Sequence, residues 1–433
     1  MRAKRGFAVL LVLWVAAISA VLISAALGHA YAQAVSGREA VARVRAYWAA
    51  RAGVELTIAR AEFDAQNPDT ANAYALFDEM SASGEGTVAD AAFRLAYSDA
   101  RGTKIGVQDA HLKLNLNLLS AAQLATLPDM PEDGPDSILD WKDEDDDTKP
   151  LGAEKSYYEA QKYPVTIRNG NFRSIAELEL VVGMTPELVR GEDWNLNGRL
   201  DPNEDDGEAS WPPDNADGTL QAGLSAVLTT ASVDGGLAAS GQARLDLTSA
   251  SAGQVSERTG VEPGQAAAIV AYGQSANAVM TDFIRRNLSQ LAQQAGMVNA
   301  NTVRNLDREQ LAAVIGECAI GTTVVGQPGK LNINTCEAET LEYIPEISPA
   351  LADAIILERS GRPEGFKSIV DLLDVPTMSR QRLARIAGIL DVKSNAVVVS
   401  SRGRDAKTGI EVEIVATIDR SSLPATLTEI RIQ

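Results

Sequence analysis

Residues 4–27 read KRGFAVLLVLWVAAISAVLISAAL: two cations, a glycine, then an apolar wall. From Phe7 to Ser36 there is no Asp, Glu, Lys or Arg, and the most apolar part, Phe7 to Leu27, matches the roughly 20 residues a bilayer-crossing helix takes. A secretory signal has a shorter apolar core, roughly 7 to 15 residues, although Ala30-Tyr31-Ala32 would serve as a small-x-small cleavage site. Length favours a retained span. Arg2, Lys4 and Arg5 in front of it predict a cytoplasmic N-terminus, with the bulk of the chain across the membrane.

Beyond the span the pattern stays helical. Val44, Tyr47, Val54, Ile58 and Ala61 recur at helix-like intervals with charged residues between them, predicting one rod from Phe7 to about Phe63, roughly 85 Å long. A rod half in lipid and half amphipathic needs a partner under its second half. Asn67-Pro68-Asp69 ends it, and Asp69 is placed to cap a short following helix.

Strand-like runs follow at Ala92–Tyr97 and Lys104–Val107, around a turn at Ser98–Gly102. Strand character returns only at the far end, in Ala396–Ser400, Ile410–Ala416 and Thr428–Ile432. The spacing predicts a small antiparallel sheet interrupted by a large, mainly helical insertion, an α+β arrangement.

The insertion repeats itself. Leu331-Asn332-Ile333-Asn334, with Leu341, Ile344 and Pro345, matches Leu114-Asn115-Leu116-Asn117 with Leu124, Leu127 and Pro128. A weaker copy begins at Leu245-Asp246-Leu247-Thr248, its Val255, Val261, Pro263, Ile269 and Val270 in step with Leu341, Ile347, Pro349, Ile355 and Ile356. The segment from Phe366 to Leu372 likewise matches that from Phe172 to Leu178.

The stretch LNINTCEAETLEYIPEISPALADAII resembles the helix-hairpin-helix units of DNA-binding proteins. Such hairpins use Gly-hydrophobic-Gly so that backbone N–H groups can approach a phosphate. Here that triplet is Glu346-Ile347-Ser348, and the weaker copy has Gly260-Val261-Glu262. The formal charge is 39 − 58 = −19, which opposes binding to polyanions. Packing is the better account of the repeat, and no nucleic-acid partner is expected.

Asp193-Trp194-Asn195-Leu196-Asn197-Gly198-Arg199-Leu200-Asp201-Pro202-Asn203-Glu204 carries the most specific chemistry. An EF-hand-type loop offers calcium oxygens from positions 1, 3, 5, 7, 9 and 12, with glycine at 6. Asp193, Asn195, Asn197, Gly198, Asp201 and Glu204 fill 1, 3, 5, 6, 9 and 12, and Arg199 at 7 need give only its carbonyl. Calcium is favoured over a merely solvated acidic loop, though paired flanking helices are not evident. A second run, Asp140 to Asp147 with Gly152-Ala153-Glu154, puts Asp143, Asp145, Asp147 and Glu154 at 1, 3, 5 and 12 but Thr148 at 6. By spacing it is either a second calcium site or a surface run.

Two histidines, His29 and His111, are too few for a His/Cys metal cluster or a His-dependent nucleophile system, which argues against a hydrolase. Cys318 and Cys336 either pair in an oxidising compartment or stay as buried thiols.

In their order, these features resemble the minor pseudopilin K family of type II secretion systems. The likeness runs through the Lys-Arg-Gly6 leader, YWAARAGVE at 47–55, LKLNLNLL, DWKDEDDD with GAEKSYY, YPVTIRNGNFRSIAELELVVGMT and the loop at 193. It implies a pilin-like fold: leader 1–6, transmembrane helix 7–32, pilin-like parts 33–110 and 394–433, and an inserted domain 111–393 of SAM-like, helix-hairpin-helix-like repeats. Prepilin peptidase would cut after Gly6, leaving Phe7 as the methylated N-terminus. The resemblance also implies bound calcium, with Asp143, Asp145, Asp147 and Glu154 among the ligands.

Pilin-like subunits usually carry Glu at the fifth mature position, facing a neighbour's N-terminal ammonium. That position is Leu11. Since a charge in lipid is costly unless paired, its omission suits a subunit with no predecessor. The implied role is a non-enzymatic cap on the periplasmic pseudopilus, anchored once in the bacterial inner membrane. Its implied partners are minor pseudopilins I and J, with H and the major pseudopilin G. Two other classes remain: a membrane-tethered DNA uptake receptor, and a secreted calcium-binding protein released after Ala32.

Overall fold

The computed structural model describes residues 4–99, 102–321 and 326–433; Arg2 and the turn residues Ala100 and Arg101 lie outside them. Helix α1 (Lys4–Gln66) is continuous over 63 residues, about 95 Å at 1.5 Å per residue. From Phe7 to Ala34 it is exposed on every side, and it is long and apolar enough to cross a membrane. Its second half buries Ala42, Ala46, Ala49, Ala50, Val54, Thr57 and Ala61.

That face is built of alanine rather than of the larger residues the periodicity suggests. Val44 is 56% exposed, and Tyr47 and Ile58 are half-buried. The reason is how closely the sheet approaches: a Cβ on Gly403 would lie 1.9 Å from the Ala46 carbonyl oxygen and 2.5 Å from the Ala50 nitrogen. Only small side chains fit such a crossing.

Asp69 does not cap the next helix. It accepts the Ala71 amide at 2.8 Å within the turn, and α2 (Ala75–Ser83) starts later, after Tyr74, whose amide is held by Asn72. An aspartate serves an Asx turn as readily as a cap, so spacing alone does not separate the two.

The sheet takes β1 (Glu85–Val88), β2 (Ala91–Asp99), β3 (Gly102–Ile105) and β4 (Gln108–Asp109) from before the insertion, and β5 (Ala396–Asp405), β6 (Glu411–Asp419) and β7 (Thr426–Ile432) from after it. Every pairing is antiparallel, in the order β1-β2-β5-β6-β7, with β3 beside β2 and β4 beside β5. Strand β1 has no apolar alternation to announce it; it forms because Ala89, at φ +51°, turns the chain back onto β2. The α1 face of the sheet packs Leu95, Val397, Val399, Ile414, Ala416 and Ile418 against Ala50, Val54, Ala61, Leu76 and Met80.

The insertion is three units, each closed by a two-residue parallel pairing between its own ends. Leu114-Asn115 pairs with Leu228-Thr229, Leu245-Asp246 with Cys318-Ala319, and Leu331-Asn332 with Leu390-Asp391. The repeat extends to atoms. Asn117 accepts the Phe172 amide at 2.8 Å and donates to its carbonyl at 3.0 Å; Asn334 does the same to Phe366 at 2.7 and 3.0 Å. The middle unit has Thr248 there and lacks the clasp, which accounts for its weaker match. Leu341, Ile344, Ile347 and Ile355 are core as expected, while Ile356 is half-buried.

Cys318 and Cys336 are both free and buried. The disulfide option is therefore not realised: the two thiols belong to different units, Cys318 in the strand that closes the second and Cys336 just after the first strand of the third.

Candidate metal centres

The loop at 193 follows a short helix, Pro186–Arg190, that Thr185 caps by accepting the Leu188 amide. Gly198 sits at φ +70°, the left-handed turn the EF-hand-type pattern requires. Asp193 and Glu204, at positions 1 and 12, are both buried. Asp193 accepts the amides of Asn197 (2.8 Å) and Gly198 (2.9 Å); Glu204 accepts those of Trp194 (3.1 Å) and Asp201 (3.0 Å). The side-chain amides of Asn195 and Asn197 both donate to Asp201, at 2.9 and 2.8 Å. The five side chains expected to act together are tied into one loop by hydrogen bonds, but Asp193, Asp201 and Glu204 do not gather carboxylate oxygens within 4.8 Å of one another.

Burial pushes the Asp193 and Glu204 carboxyls up, and the charges of Asp193 and Asp201 push Glu204 further. Burial also works to raise Asp201, but Arg199, Asn195 and Asn197 outweigh it and hold it below the usual range. Arg199 donates to Asp201 and reaches across to Glu413 on β6. Arg431 on β7 donates to the Asn195 and Leu196 carbonyls at 2.8 and 2.9 Å, so the loop is docked on the sheet.

In the second acidic region, helix Gly134–Lys142 presents Asp140 from its last turn, Asp143 ends it, and Glu154 precedes helix Lys155–Glu159. Asp140, Asp143 and Glu154 place carboxylate oxygens within 4.8 Å of one another, with Asp140 and Glu154 buried. Both oxygens of Glu154, and Oδ1 of Asp143, are buried without a hydrogen-bond partner. Burial, then the charges of Asp140 and Asp143, push the Glu154 carboxyl up to about 7. Lys149 Nζ lies 3.0 Å from Asp140 and also pairs with Asp143.

Asp145 and Asp147 lie outside this cluster: both are exposed, and Asp145 accepts the Asp147 amide at 2.9 Å within the run. With Thr148 rather than glycine at position 6, this loop does not follow the EF-hand path. Asp140 takes part instead. Its sequence signal was its place three residues before Asp143, one helical turn away. Gly152 makes room for it, since a Cβ there would lie 2.0 Å from Asp140 Oδ2. The donors at both centres are oxygens alone, a set suited to hard divalent cations and not to zinc. The unpartnered, buried oxygens of Glu154 are what such an ion would satisfy.

Residues 94–191 match the family model of type II secretion system protein K. Over those residues, less than a quarter of its length, the chain resembles that family. The match runs from β2 into the first unit as far as Gly191, taking in the Asp140–Asp143–Glu154 cluster. Residues 327–391, the third unit, match a helix-hairpin-helix motif. No curated protein matches the chain. Among solved structures it matches a chain of the GspK-GspI-GspJ complex from the type 2 secretion system of enterotoxigenic Escherichia coli. The identity is 15%, over 92% of this chain and 99% of that one, with a TM-score of 0.47.

The remaining expected positions are also placed. Phe7 and Leu11 are exposed on α1, and the Gly6–Phe7 bond lies within the helix. His111 is buried and wired at both ring nitrogens, Nδ1 to the Lys330 carbonyl (2.8 Å) and Nε2 to the Asn395 amide (3.1 Å). At the hairpin of the third unit, Glu346 pairs with Arg385.

Proposed function

We propose that this chain is a type II secretion minor pseudopilin that caps the tip of a periplasmic pseudopilus, stabilised by calcium and without a catalytic step of its own. The observation that carries the reading is Leu11, exposed on the membrane-spanning part of α1 where an assembling subunit would need a carboxylate. An insertion larger than the domain it interrupts is also more readily accommodated at a filament end than in its shaft. On this reading, minor pseudopilins I and J lie beneath it, prepilin peptidase cuts after Gly6, and the mass of the chain lies in the periplasm. Fixed His111 and the Cys318 and Cys336 thiols, both pushed by burial to about 12, favour structural roles for these residues.

Sequencing the mature N-terminus is the test of processing. Phe7 is expected; Met1 would indicate an uncleaved tethered receptor and Gln33 a secreted protein. Site-specific crosslinking that traps the subunit in the filament shaft would overturn the tip assignment. For calcium, chelation is expected to lower the melting temperature of the purified chain, and Glu204→Gln to shrink that drop.

The helix-hairpin-helix match of residues 327–391 keeps a DNA-binding reading in view. A salt-sensitive gel shift by the purified chain would support it. The pairing of Glu346 with Arg385 and the net charge of −19 predict none.

A further inference from the structure

The Asp140–Asp143–Glu154 pocket already contains a cation. Lys149 Nζ is 3.0 Å from Asp140 Oδ1 and pairs with Asp143 Oδ2, while Glu154 turns two unpartnered oxygens into the same pocket. One ammonium thus pairs with two of the three carboxylates and leaves the third without a partner. The Asp140 carboxylate is held separately by the Lys149 backbone amide at 3.1 Å, so the lysine side chain can leave without releasing the carboxylate. That side chain is 31% exposed and borders solvent. A route out therefore exists that opens no core.

An ammonium supplies donors and has no place for a second cation on the oxygens it uses. A calcium ion needs six to eight oxygens, Asp140 and Asp143 among them here. We propose that Lys149 is a resident counter-cation of this pocket, which a divalent cation must displace, so that the site fills and empties with calcium instead of holding it permanently. This rests on reading the pocket as a calcium site. The loop at 193 differs: its Arg199 pairs with Asp201 and is drawn outward by Glu413, whereas the bonds of Asp193 and Glu204 are to backbone amides. A cation there need not expel it.

The test uses the full chain in detergent, with calcium alone as the probe. Calorimetry on wild type, Lys149→Met and Glu154→Gln identifies this pocket as the binding event that Glu154→Gln abolishes. Lys149→Met is expected to tighten that event by about tenfold or more, and to melt lower than wild type when calcium is chelated. Unchanged or weaker affinity in Lys149→Met, with the event present in wild type, overturns the role of Lys149 while leaving calcium binding intact. Absence of any event sensitive to Glu154→Gln overturns the calcium reading of the pocket and the inference with it. A second measurement needs no variant. Acetylation of Lys149 in wild type, followed by mass spectrometry, is expected to run several-fold faster with calcium than with chelator; equal rates count against displacement.

Discussion

Arg199 and Glu413 face each other across the boundary between the inserted domain and the sheet, with Nη1 and Nη2 of the arginine 3.1 and 2.9 Å from the two carboxylate oxygens. The same guanidinium holds Asp201, so one side chain links a candidate metal loop to strand β6. Bidentate, partly buried pairs of this kind resist substitution of either partner. Glu413→Gln is expected to cost about 2–3 kcal/mol in urea unfolding and to speed hydrogen exchange in residues 193–204. A double-mutant cycle with Arg199→Met should return a coupling of about 1–3 kcal/mol; additive losses would show that the pair does not act as a unit.

The same carboxylate makes stability depend on pH. Burial works against its charge, but hydrogen bonds from Ser400 and Arg199, with Arg402 nearby, outweigh it and hold Glu413 below its ordinary value of 4.5. A group whose folded value is depressed adds stability that is complete above the unfolded value and lost as pH falls through the folded one. The gap in urea midpoint between wild type and Glu413→Gln should therefore be widest above 4.5 and narrow as the solution is acidified below it. A gap that stays constant with pH would contradict the assignment.

Gly403→Ala tests the close crossing of α1 over the sheet. The obstacle is backbone, the Ala46 carbonyl oxygen 1.9 Å from the added Cβ, so trimming neighbouring side chains cannot relieve it. A loss of about 3 kcal/mol is expected, with no rescue by Ala46→Gly.

The clasp residues test the internal repeat. Asn117→Ala and Asn334→Ala each leave a buried phenylalanine backbone N–H and C=O without a partner, and each should cost about 2–4 kcal/mol. Thr248→Ala, at the matching place in the middle unit, removes an exposed residue and should stay within about 0.5 kcal/mol. Comparable losses at all three positions would mean that the clasp is not what separates the units.

Much of this was legible in advance because it rests on local periodicity. The apolar run after Phe7, the strand alternation on either side of the insertion and the Leu-Asn-x-Asn repeat each report a pattern the backbone obeys over a few residues. The loop at 193 was readable for the same reason: its oxygens come from alternate positions of one short segment. Val44 and Asp69 were misjudged because their roles depend on what approaches from outside the segment, in one case a sheet strand bearing Gly403, in the other a helix that begins six residues later.

The amino-acid sequence by itself determined the membrane-length helix, the interrupted sheet and the repeating insertion. Tertiary structure alone decided that Cys318 and Cys336 stay apart, and that Asp140, rather than Asp145 or Asp147, joins Asp143 and Glu154 around Lys149. The physical reason is distance. A helix end, a loop and the start of the next helix bring together carboxylates that no single backbone period relates, and only the folded core fixes which of them are shut away from water with a charge to satisfy.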